Sequence, residues 1–366
     1  MKKYLLIFGT RPEALKLFPL IKEIRRRKTI NLDVCNTGQH VDLTNELIKF
    51  FKIKVDYNFN LMFDHPTLNE ITAQIITRIN QLHEQNGYDG VIVHGDTITC
   101  LAASLSSFLK GVPVFHVEAG LRSNNLSSPW PEEFNRRVTT LAAQLHFAPT
   151  LAAKENLLAE GISSSNIFIS GNTIIDMLRM TLEDLQLIKH KRNKSKPFKI
   201  LVTSHRRENF GKPLDNICEA VIDLVKDGSI LVTWPIHPNP NVKTKILDKL
   251  SEVKGITLTE PQEYIDFVKL MADADLILTD SGGMQEEAPY LSIPVLVLRE
   301  ETERPEVIAC GAAKLVGTNK NDIISSVRRL VDDESKYKKM ATAKSPFGDG
   351  YSSNFITNIL ENLHNE

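Results

Sequence analysis

The alternation of short apolar runs with longer helical segments is the feature that most constrains how this chain folds. Twelve runs rich in Val, Ile, Leu and Phe recur along the chain: residues 4–8, 32–36, 90–94, 112–117, 145–148, 167–170, 199–203, 230–235, 256–258, 276–279, 295–298 and 314–316. Between them lie segments of helical periodicity, for example residues 12–27, with Leu17 and Ile21 on one face. Near-continuous apolar strands that alternate with helices predict parallel sheets covered by helices on both faces.

The runs divide six and six at a break near Gly171, which predicts two doubly wound α/β domains that face each other. A chain of 366 residues is long enough for two domains. We expect the first over residues 1–170 and the second over residues 171–351. A Gly-rich break at residues 348–350 precedes a final predicted helix over residues 352–366.

Charge and composition narrow the class of protein. The 44 Lys and Arg residues balance 45 Asp and Glu residues, which argues against a nucleic-acid-binding surface. The basic run at residues 187–199 is therefore interpreted as a solvated connector. No apolar run approaches the roughly 18 residues that a membrane span needs, and the four cysteines form no CxxC pair. These features predict a cytoplasmic protein with reduced thiols and no membrane partner.

The first polar cluster follows the first apolar run. Thr10 and Glu13 have the spacing of a capping box, and Pro12 suits the first turn of a helix. Arg11 adds a cation where the helix dipole already favours an anion, so we expect it to contact a phosphate. The sequence contains neither GxGxxG nor GxxxxGK, which disfavours NAD and a P-loop nucleotide.

Two further strand ends carry a histidine and an acid two residues apart, His94 with Asp96 and His116 with Glu118, which predicts that each pair lies on one face of its strand. Such pairs would bind a metal ion if they converged. Alternatively, the two carboxylates would serve as acid and base groups, with the histidines supporting them. A loop with two prolines around a tryptophan precedes Glu132 and would present that carboxylate at a fixed geometry.

The strand ends of the second half are also polar. Two of its runs lead to His205 and His237. The Ser-Gly-Gly segment at residues 281–283 would begin a helix with backbone N–H groups free to bind a phosphate. Glu287, one turn later, would accept both hydroxyls of a ribose, and Arg304 places a second cation at a helix start.

The ordered motifs FGTRPEALK, HGDT, VEAGLR, SPWPEEFNRR, HRREN, TDSGGMQEEAP and REETERPE resemble the non-hydrolysing UDP-N-acetylglucosamine 2-epimerase family. The resemblance implies a GT-B-like fold, in which two Rossmann-like domains face a central cleft and the helix over residues 352–366 packs back on the first domain. It also implies a cytoplasmic homodimer that acts on a UDP-sugar without metal or NAD.

The resemblance further implies which residues act. The catalytic carboxylates correspond to Asp96, Glu118 and Glu132, assisted by Lys16, Arg136 and His205. The residues that correspond to the UDP site are Arg11, His205, Phe267, Ser281, Gly282, Gly283, Glu287 and Arg304, to which we add His237. The family eliminates UDP across C1–C2 to give 2-acetamidoglucal and then adds UDP back, which supplies precursors of surface polysaccharides.

One region departs from the family pattern. Members that act on UDP-GlcNAc usually have Gln-His-Arg where this chain has Gln39, His40 and Val41. In bacterial members this region helps to bind a second, activating UDP-GlcNAc, so Gln39 and His40 are candidate allosteric residues. The alternatives are a related UDP-2-acetamido sugar as substrate, a hydrolysing epimerase that releases ManNAc and UDP, a GT-B glycosyltransferase, a metal-dependent phosphohydrolase and a non-catalytic sugar-nucleotide sensor.

Overall fold

The structure is a computed structural model, and it describes residues 1–39, 41–61, 66–187, 192 and 195–363. The chain is divided into two compact units. Unit 1 comprises Met1–Met177 together with Phe347–Glu366, and unit 2 comprises Leu178–Pro346.

The first sheet is built from the apolar runs of the first half of the chain. Its strands are β1 (Lys3–Phe8), β2 (Asn31–Asn36), β3 (Tyr57–Asn58), β4 (Gly90–His94), β5 (Val114–Val117), β6 (Leu145–Ala148) and β7 (Ile167–Ile169). Within the described ranges the order across the sheet is β3-β2-β1-β4-β5-β6-β7, and every pair is parallel.

Helices connect these strands, as the periodicity predicts. They are α1 (Arg11–Arg27), α2 (Val41–Phe50), α3 (Leu68–Asn86), α4 (Ile98–Leu109), α5 (Glu132–Ala142), α6 (Leu151–Ala159) and α7 (Thr173–Asp184). One core cluster joins the inner faces of α3 and α4 to β1 and β4, for example through Ile75, Leu101 and Val91. Burial of these apolar faces stabilises the unit because it removes hydrocarbon surface from water.

The second sheet repeats the same construction. Its strands are β8 (Phe198–Thr203), β9 (Ile230–Pro235), β10 (Ile256–Thr259), β11 (Leu276–Thr279), β12 (Val295–Val297) and β13 (Ala313–Leu315). The remaining helices are α8 (Lys212–Val225), α9 (Pro240–Leu250), α10 (Tyr264–Asp273), α11 (Gly282–Glu287), α12 (Pro305–Ala309), α13 (Lys320–Asp332), α14 (Glu334–Ala341) and α15 (Ser352–Asn362). Among the residues described, the parallel order is β10-β9-β8-β11-β12-β13, and its core surrounds the fully buried Trp234.

The C-terminal segment belongs to unit 1 because it packs on the first helix and the first strand. Ile356 and Leu360 of α15 are fully buried, and the Tyr4 hydroxyl donates a hydrogen bond to the carbonyl oxygen of Leu360 (3.4 Å). Residues 171–177 and 347–351, which the sequence analysis assigns to the second domain, also lie in unit 1. They do so because the backbone N–H of Asn172 donates to the carbonyl oxygen of Phe347 (2.8 Å).

The predicted fold class, two doubly wound parallel sheets, is confirmed. All twelve predicted strands are present, with small changes at their ends. The prediction missed β3, because a strand of two residues has no periodicity to detect. Within the described part of the chain, no helix combines the length and the hydropathy that crossing a bilayer would need.

Candidate functional site

Two candidate catalytic carboxylates of unit 1 and one candidate UDP-binding cation follow three neighbouring strands at the point where each strand ends. Strand β1 lies beside β4, and β4 lies beside β5. Because the strands are parallel, their carboxyl ends meet at one edge of the sheet, which is where ligands bind in open α/β sheets. Arg11 follows β1, Asp96 follows β4 and Glu118 follows β5.

Glu13 connects two of these strand ends. Its carboxylate accepts hydrogen bonds from the backbone N–H of Thr10 (2.8 Å) and of Gly9 (3.0 Å), and from the Thr97 hydroxyl (2.6 Å). Burial raises the pKa of Glu13, whereas the hydrogen bonds from Thr97, Gly9 and Thr10 lower it, and the net shift is upward. The predicted capping box is confirmed. Arg11 directly follows the Thr10 cap, so it is the first residue of α1, and it is half-buried.

Glu118 lies one residue beyond β5 with a left-handed backbone (φ 61°). Its Oε2 accepts hydrogen bonds from Lys16 Nζ of α1 and from Asn172 Nδ2 (2.9 Å). The Nε2 atom of His94 lies 3.9 Å from the same oxygen. Burial lowers the pKa of His94 to about 4 despite the opposing charge of Glu118, so the imidazole is neutral near pH 7.

Two residues of helix α5 contact Asp96 and hold it in place. Its carboxylate pairs with the Arg136 guanidinium, and its carbonyl oxygen accepts from Asn135 Nδ2 (2.9 Å). Arg136 also lies 3.4 Å from Glu133, a fully buried carboxylate that accepts from the backbone N–H of Ser123 (2.9 Å). The two predicted carboxylates on neighbouring strand ends are thus each paired with a cation supplied by a helix.

Glu132 differs from both. It is the first residue of α5, and its Oε2 is buried without a hydrogen-bond partner among the described residues. An unpaired buried carboxylate oxygen is costly. Glu132 Oε2 can therefore accept a hydrogen bond that none of the described residues donates.

The two His-x-acid pairs do not have the geometry that strand alternation predicts. Strand β4 ends at His94 and β5 ends at Val117, so Asp96 and Glu118 lie outside the strands. His116 is turned to the carbonyl oxygen of Gly95, 2.8 Å from its Nε2. In the described ranges, no group of three or more His, Cys, Asp or Glu side chains is arranged to hold a metal ion.

A cavity of about 290 Å³ lies at the carboxyl edge of the second sheet. The predicted UDP-site residues that line it are His205, His237, Phe267, Ser281, Gly283 and Glu287. Arg304 and Gly282 do not line it, although a Cβ built on Gly282 would lie 3.9 Å from an amino nitrogen of Arg304. Arg304 Nε donates to Glu286 (2.5 Å).

Asp280 orients His205, one of the two histidines that line this cavity. Its carboxylate is fully buried and accepts from the backbone N–H groups of His205 (2.9 Å) and Arg206 (3.0 Å), from the Ser204 hydroxyl and from Asn209 Nδ2. The Nδ1 atom of His205 lies 3.2 Å from Asp280 Oδ1. Burial raises the pKa of Asp280, but the hydrogen bond and charge of His205 and the two backbone donors outweigh burial and bring it to about 2.

His237 stacks on His205 with 5.8 Å between ring centroids. Burial and then the charge of His205 lower the pKa of His237, which favours the neutral ring. Its Nδ1 accepts from the backbone N–H of Asn239 (3.2 Å), so the ring proton resides on Nε2. Nearby, the buried hydroxyl of Tyr264 donates to Glu287 (3.1 Å) and fixes that carboxylate.

Of the two candidate allosteric residues, His40 lies outside the described residues. Gln39 contacts the end of β1, since its backbone N–H donates to the carbonyl oxygen of Gly9 (3.0 Å). A Cβ on Gly9 would approach Thr37 Oγ1 to 2.2 Å, so only glycine permits this close packing.

Sequence reasoning missed two residues of these sites, Asp280 and Asn172. Asp280 stands directly before the Ser-Gly-Gly segment that was identified, so its position after β11 was the available signal. Asn172 comes shortly after the last strand of the first sheet, where a polar residue in a strand-to-helix turn is too common to indicate a role.

Comparison with known proteins agrees with this arrangement. A family model described as UDP-N-acetylglucosamine 2-epimerase matches residues 22–361. A Neisseria meningitidis protein named UDP-N-acetylglucosamine 2-epimerase is 46% identical over an alignment of 367 positions, which covers 98% of this chain and 99% of that protein. A protein of the same name from Escherichia coli K12 is 44% identical over an alignment of 370 positions, which covers 98% of each chain.

The similarity extends to three dimensions. The crystal structure of UDP-GlcNAc 2-epimerase from Neisseria meningitidis bound to UDP-GlcNAc superposes with a TM-score of 0.87 at 45% identity, and the match covers 98% of this chain and 99% of that one. The fold is of the GT-B-like class.

Proposed function

The chain belongs to the UDP-N-acetylglucosamine 2-epimerase family, and from that premise we propose that it interconverts UDP-GlcNAc and UDP-ManNAc without hydrolysing them. The observation that carries the proposal is the pair of carboxylates Asp96 and Glu118 on neighbouring strand ends, each held by a cation. Inversion at a carbon that bears a hydrogen requires proton transfer on both of its faces, which two or more carboxylates can supply.

The residues of unit 2 fit the nucleotide half of such a substrate. The cavity is lined by residues at the start of α11, by the stacked rings of His205 and His237, and by Glu287, whose carboxylate accepts a hydrogen bond from Tyr264. We assign Ser281, Gly282 and Gly283 to the phosphates and Glu287 to the ribose hydroxyls. His205, oriented by Asp280, donates to the phosphate oxygen that gains charge when the glycosidic C1–O bond breaks.

The residues of unit 1 fit the sugar half. The C2 carbon carries an N-acetyl group, so oxidation of C2 to a ketone is not open to the enzyme. Instead, one carboxylate removes the C2 proton while UDP leaves C1, which gives 2-acetamidoglucal and free UDP. UDP then adds back to C1, and a proton is delivered to the opposite face of C2. Arg11, at the start of α1, is assigned to the departing diphosphate, with Arg304 as a second cation.

The three candidate carboxylates have different surroundings, which supports a division of labour. Asp96 forms an ion pair with Arg136, and Glu118 forms one with Lys16. Glu132 Oε2 is buried without a partner among the described residues. We propose that Asp96 and Glu118 transfer the protons and that Glu132 accepts a hydrogen bond from the sugar.

The decisive experiment is incubation with UDP-GlcNAc in deuterated water, followed by proton NMR. We expect deuterium at C2 and an equilibrium mixture dominated by UDP-GlcNAc, with UDP-ManNAc as the minor component. Epimer without deuterium would contradict the elimination mechanism, because C2 would not have exchanged its proton with solvent. Free ManNAc and UDP would instead identify a hydrolysing epimerase.

Two substitutions test the assignment of the carboxylates. Asp96→Asn and Glu118→Gln should each lower kcat by about 10²–10⁴-fold, the contribution typical of a general acid or base. Both variants should bind UDP as the wild type does, because the proposed UDP ligands lie mainly in unit 2. A loss of UDP affinity in either variant would contradict its role in proton transfer.

We further propose a homodimer that supplies precursors of surface polysaccharides, as the family resemblance implies. Three large apolar side chains on neighbouring helices of unit 1 are exposed, Phe108, Leu109 and Leu141. Apolar groups exposed together on a surface are typical of a protein–protein contact.

A further inference from the structure

Asn172 lies in the turn between β7 and α7 and contacts the proposed catalytic carboxylate Glu118. The residue is 2% exposed, and its Nδ2 donates to Glu118 Oε2 (2.9 Å). Lys16 Nζ donates to the same oxygen. The lysine is a point charge on a flexible stem, whereas the amide is short, planar and buried. Lys16 therefore balances the charge of the Glu118 carboxylate, and Asn172 fixes the orientation of that carboxylate.

The orientation of the Asn172 amide follows from its other partner. Asn172 Oδ1 accepts a hydrogen bond from the backbone N–H of Ile174 (3.1 Å). The opposite orientation of the amide would place its oxygen against the Glu118 carboxylate and its NH₂ group against a backbone donor, so both hydrogen bonds would be lost. The NH₂ group consequently faces Glu118.

The peptide that carries Asn172 is in turn fixed by the C-terminal segment. The backbone N–H of Asn172 donates to the carbonyl oxygen of Phe347 (2.8 Å). The buried carboxylate of Asp176, one helical turn later, accepts from the backbone N–H groups of Ser352 (3.1 Å) and Ser353 (2.7 Å). These contacts anchor both ends of the short segment from residue 172 to residue 176.

Gly171 makes this approach possible. It adopts φ +80°, and a Cβ there would lie 2.7 Å from Ser352 Oγ and 3.1 Å from the carbonyl oxygen of Phe347. A side chain would therefore displace the C-terminal segment from the turn that carries Asn172. The close packing means that the position of Asn172 depends on residues that follow it by more than 170 positions.

We propose that Asn172 is a positioning residue for Glu118: the C-terminal segment holds Asn172, and its amide fixes the Glu118 carboxylate with Oε2 turned to Lys16. This inference rests on the proposed function, in which Glu118 transfers a proton at C2 of the sugar. Glu118 itself has a left-handed backbone, so its side chain leaves the strand end in an unusual direction and needs an external support. Small errors in the placement of such a group lower the rate of the chemical step without weakening nucleotide binding.

Asn172→Asp is the most informative variant. It keeps the size of the side chain and an oxygen that accepts from Ile174 N–H, but it replaces the donor to Glu118 by a second carboxylate. We expect kcat to fall about 10²-fold or more, with the dissociation constant of UDP, measured by calorimetry, unchanged. The acidic limb of the pH–rate profile should move to higher pH, because a neighbouring like charge disfavours the ionised carboxylate.

Asn172→Ala is the second variant, in case the added charge disturbs folding. It removes the donor without adding charge, so its loss of kcat should be smaller and its acidic limb should move in the same direction. Asn156→Ala is the matched control, because Asn156 Nδ2 donates to the carbonyl oxygen of Gly120 (2.9 Å), two residues from Glu118, and not to the carboxylate. The control should keep the kcat and the pH profile of the wild type.

The outcomes separate this inference from the proposed function. If the wild type forms no epimer, or if Glu118→Gln remains active, the proposed function fails. If wild type and Glu118→Gln behave as expected but both Asn172 variants keep the wild-type kcat and pH profile, the positioning role is overturned. It is also overturned if both Asn172 variants lose their thermal unfolding transition together with turnover, since the role of Asn172 would then be purely structural.

Discussion

His205 and Asp280 illustrate how one buried carboxylate defines the chemistry of a neighbouring ring. With Asp280 Oδ1 3.2 Å from Nδ1 of His205, Nδ1 is turned to the carboxylate, and Nε2 is presented to a ligand, to which it donates when it also carries a proton. Although burial raises the pKa of Asp280, this carboxylate keeps its charge because the hydrogen bond and charge of His205 and the backbone N–H groups of Arg206 and His205 lower that pKa more. The pair therefore fixes the orientation of His205, with Nδ1 turned to Asp280 and Nε2 turned to the ligand.

Asp280→Asn should separate orientation from charge. The amide fills the same volume but carries no charge and opposes its NH₂ group to some of the N–H donors, so the ring of His205 loses the charged partner of its Nδ1 atom. We expect kcat to fall by about 10²–10³-fold, within the range of acid–base contributions, as measured by steady-state turnover of UDP-GlcNAc.

The control for this prediction is Asp275→Asn. Asp275 is another buried aspartate of unit 2, but it accepts from the backbone N–H of Lys199, at the start of β8 and so at the opposite edge of the sheet. This variant should retain its turnover. Equal rates for Asp280→Asn and the wild type would show that His205 needs no carboxylate partner.

Residue types at strand ends could be predicted from the sequence, whereas their partners could not. Arg11, Asp96 and Glu118 were predicted to lie at one edge of the sheet because parallel strands bring their carboxyl ends together there. The pairing of Glu118 with Asn172 joins chain segments 54 positions apart, and no local pattern encodes such a contact. Backbone conformation was equally hidden, since the left-handed Glu118 ends the alternation on which the His-x-acid interpretation relied.

At the scale of elements, three neighbouring strands carry a row of buried histidines: His94 on β4, His116 on β5 and His146 on β6. His116 and His146 are direct partners in the register of the sheet. Burial lowers the pKa values of the three rings to about 4, 3 and 4, respectively. The charge of Arg122 lowers the pKa of His146 further, whereas the charge of Glu118 opposes the shift at His94.

These histidines should make unit 1 sensitive to acid. Their folded-state pKa values lie below the ordinary value of 6.5, so the unfolded chain binds more protons between pH 6.5 and about 4. The free energy of unfolding should therefore have its full value above pH 6.5, and it should decrease as the pH falls from 6.5 to about 4. Each ring contributes a slope of at most about 1.4 kcal/mol per pH unit.

Urea unfolding between pH 4.5 and pH 7.5 checks this expectation, with His146→Gln as the comparison. The variant lacks one of the three titrating rings, so the slope of its unfolding free energy against pH should be smaller by about 1.4 kcal/mol per pH unit at most. Identical slopes for the two proteins would mean that His146 is not a source of the acid sensitivity.

Element types were predicted well because most strands are predominantly apolar and most of the longer helices are periodic. The helix over residues 12–27 is observed as α1 (Arg11–Arg27), and its Thr10 cap is present. Strand β3 was missed since only Tyr57 and Asn58 pair with β2. Strand β5 begins two residues later than expected because Pro113, which has no N–H, precedes it.

At the scale of the whole molecule, the last helix completes the unit that the first strand begins. Leu360 of α15 is fully buried in unit 1, and Arg27 of α1 forms an ion pair with Glu361 (2.9 Å). Leu360→Ala should lower the free energy of unfolding by about 2–5 kcal/mol, because it leaves a cavity in a packed core. Leu363→Ala, at an exposed leucine of the same C-terminal segment, should change it by about 0.5 kcal/mol or less.

Urea denaturation followed by circular dichroism measures both variants. An equal, small effect would mean that α15 is not integrated with the core of unit 1. Turnover adds a second reading, because a displaced C-terminal segment would also release Asn172 from Phe347.

The proposed homodimer is the last property of the whole molecule to be tested. Helices α4 and α5 end shortly before β5 and β6, so their last turns lie at the amino edge of the first sheet, opposite to Asp96 and Glu118. There Leu109 is 73% exposed and Leu141 is 77% exposed. Burial of these apolar groups against the same surface of a second copy would give a two-fold symmetric contact.

Light scattering after size-exclusion chromatography should therefore report about twice the chain mass of 41.2 kDa for the wild type. Leu141→Arg should shift the population to the monomer, because a buried unpaired guanidinium is costly in an apolar contact. Leu247→Arg, at an exposed leucine of unit 2, should leave the mass unchanged. If Leu141→Arg remains a dimer while the wild type is one, the contact lies on another surface. If the wild type is a monomer, the proposed assembly is wrong.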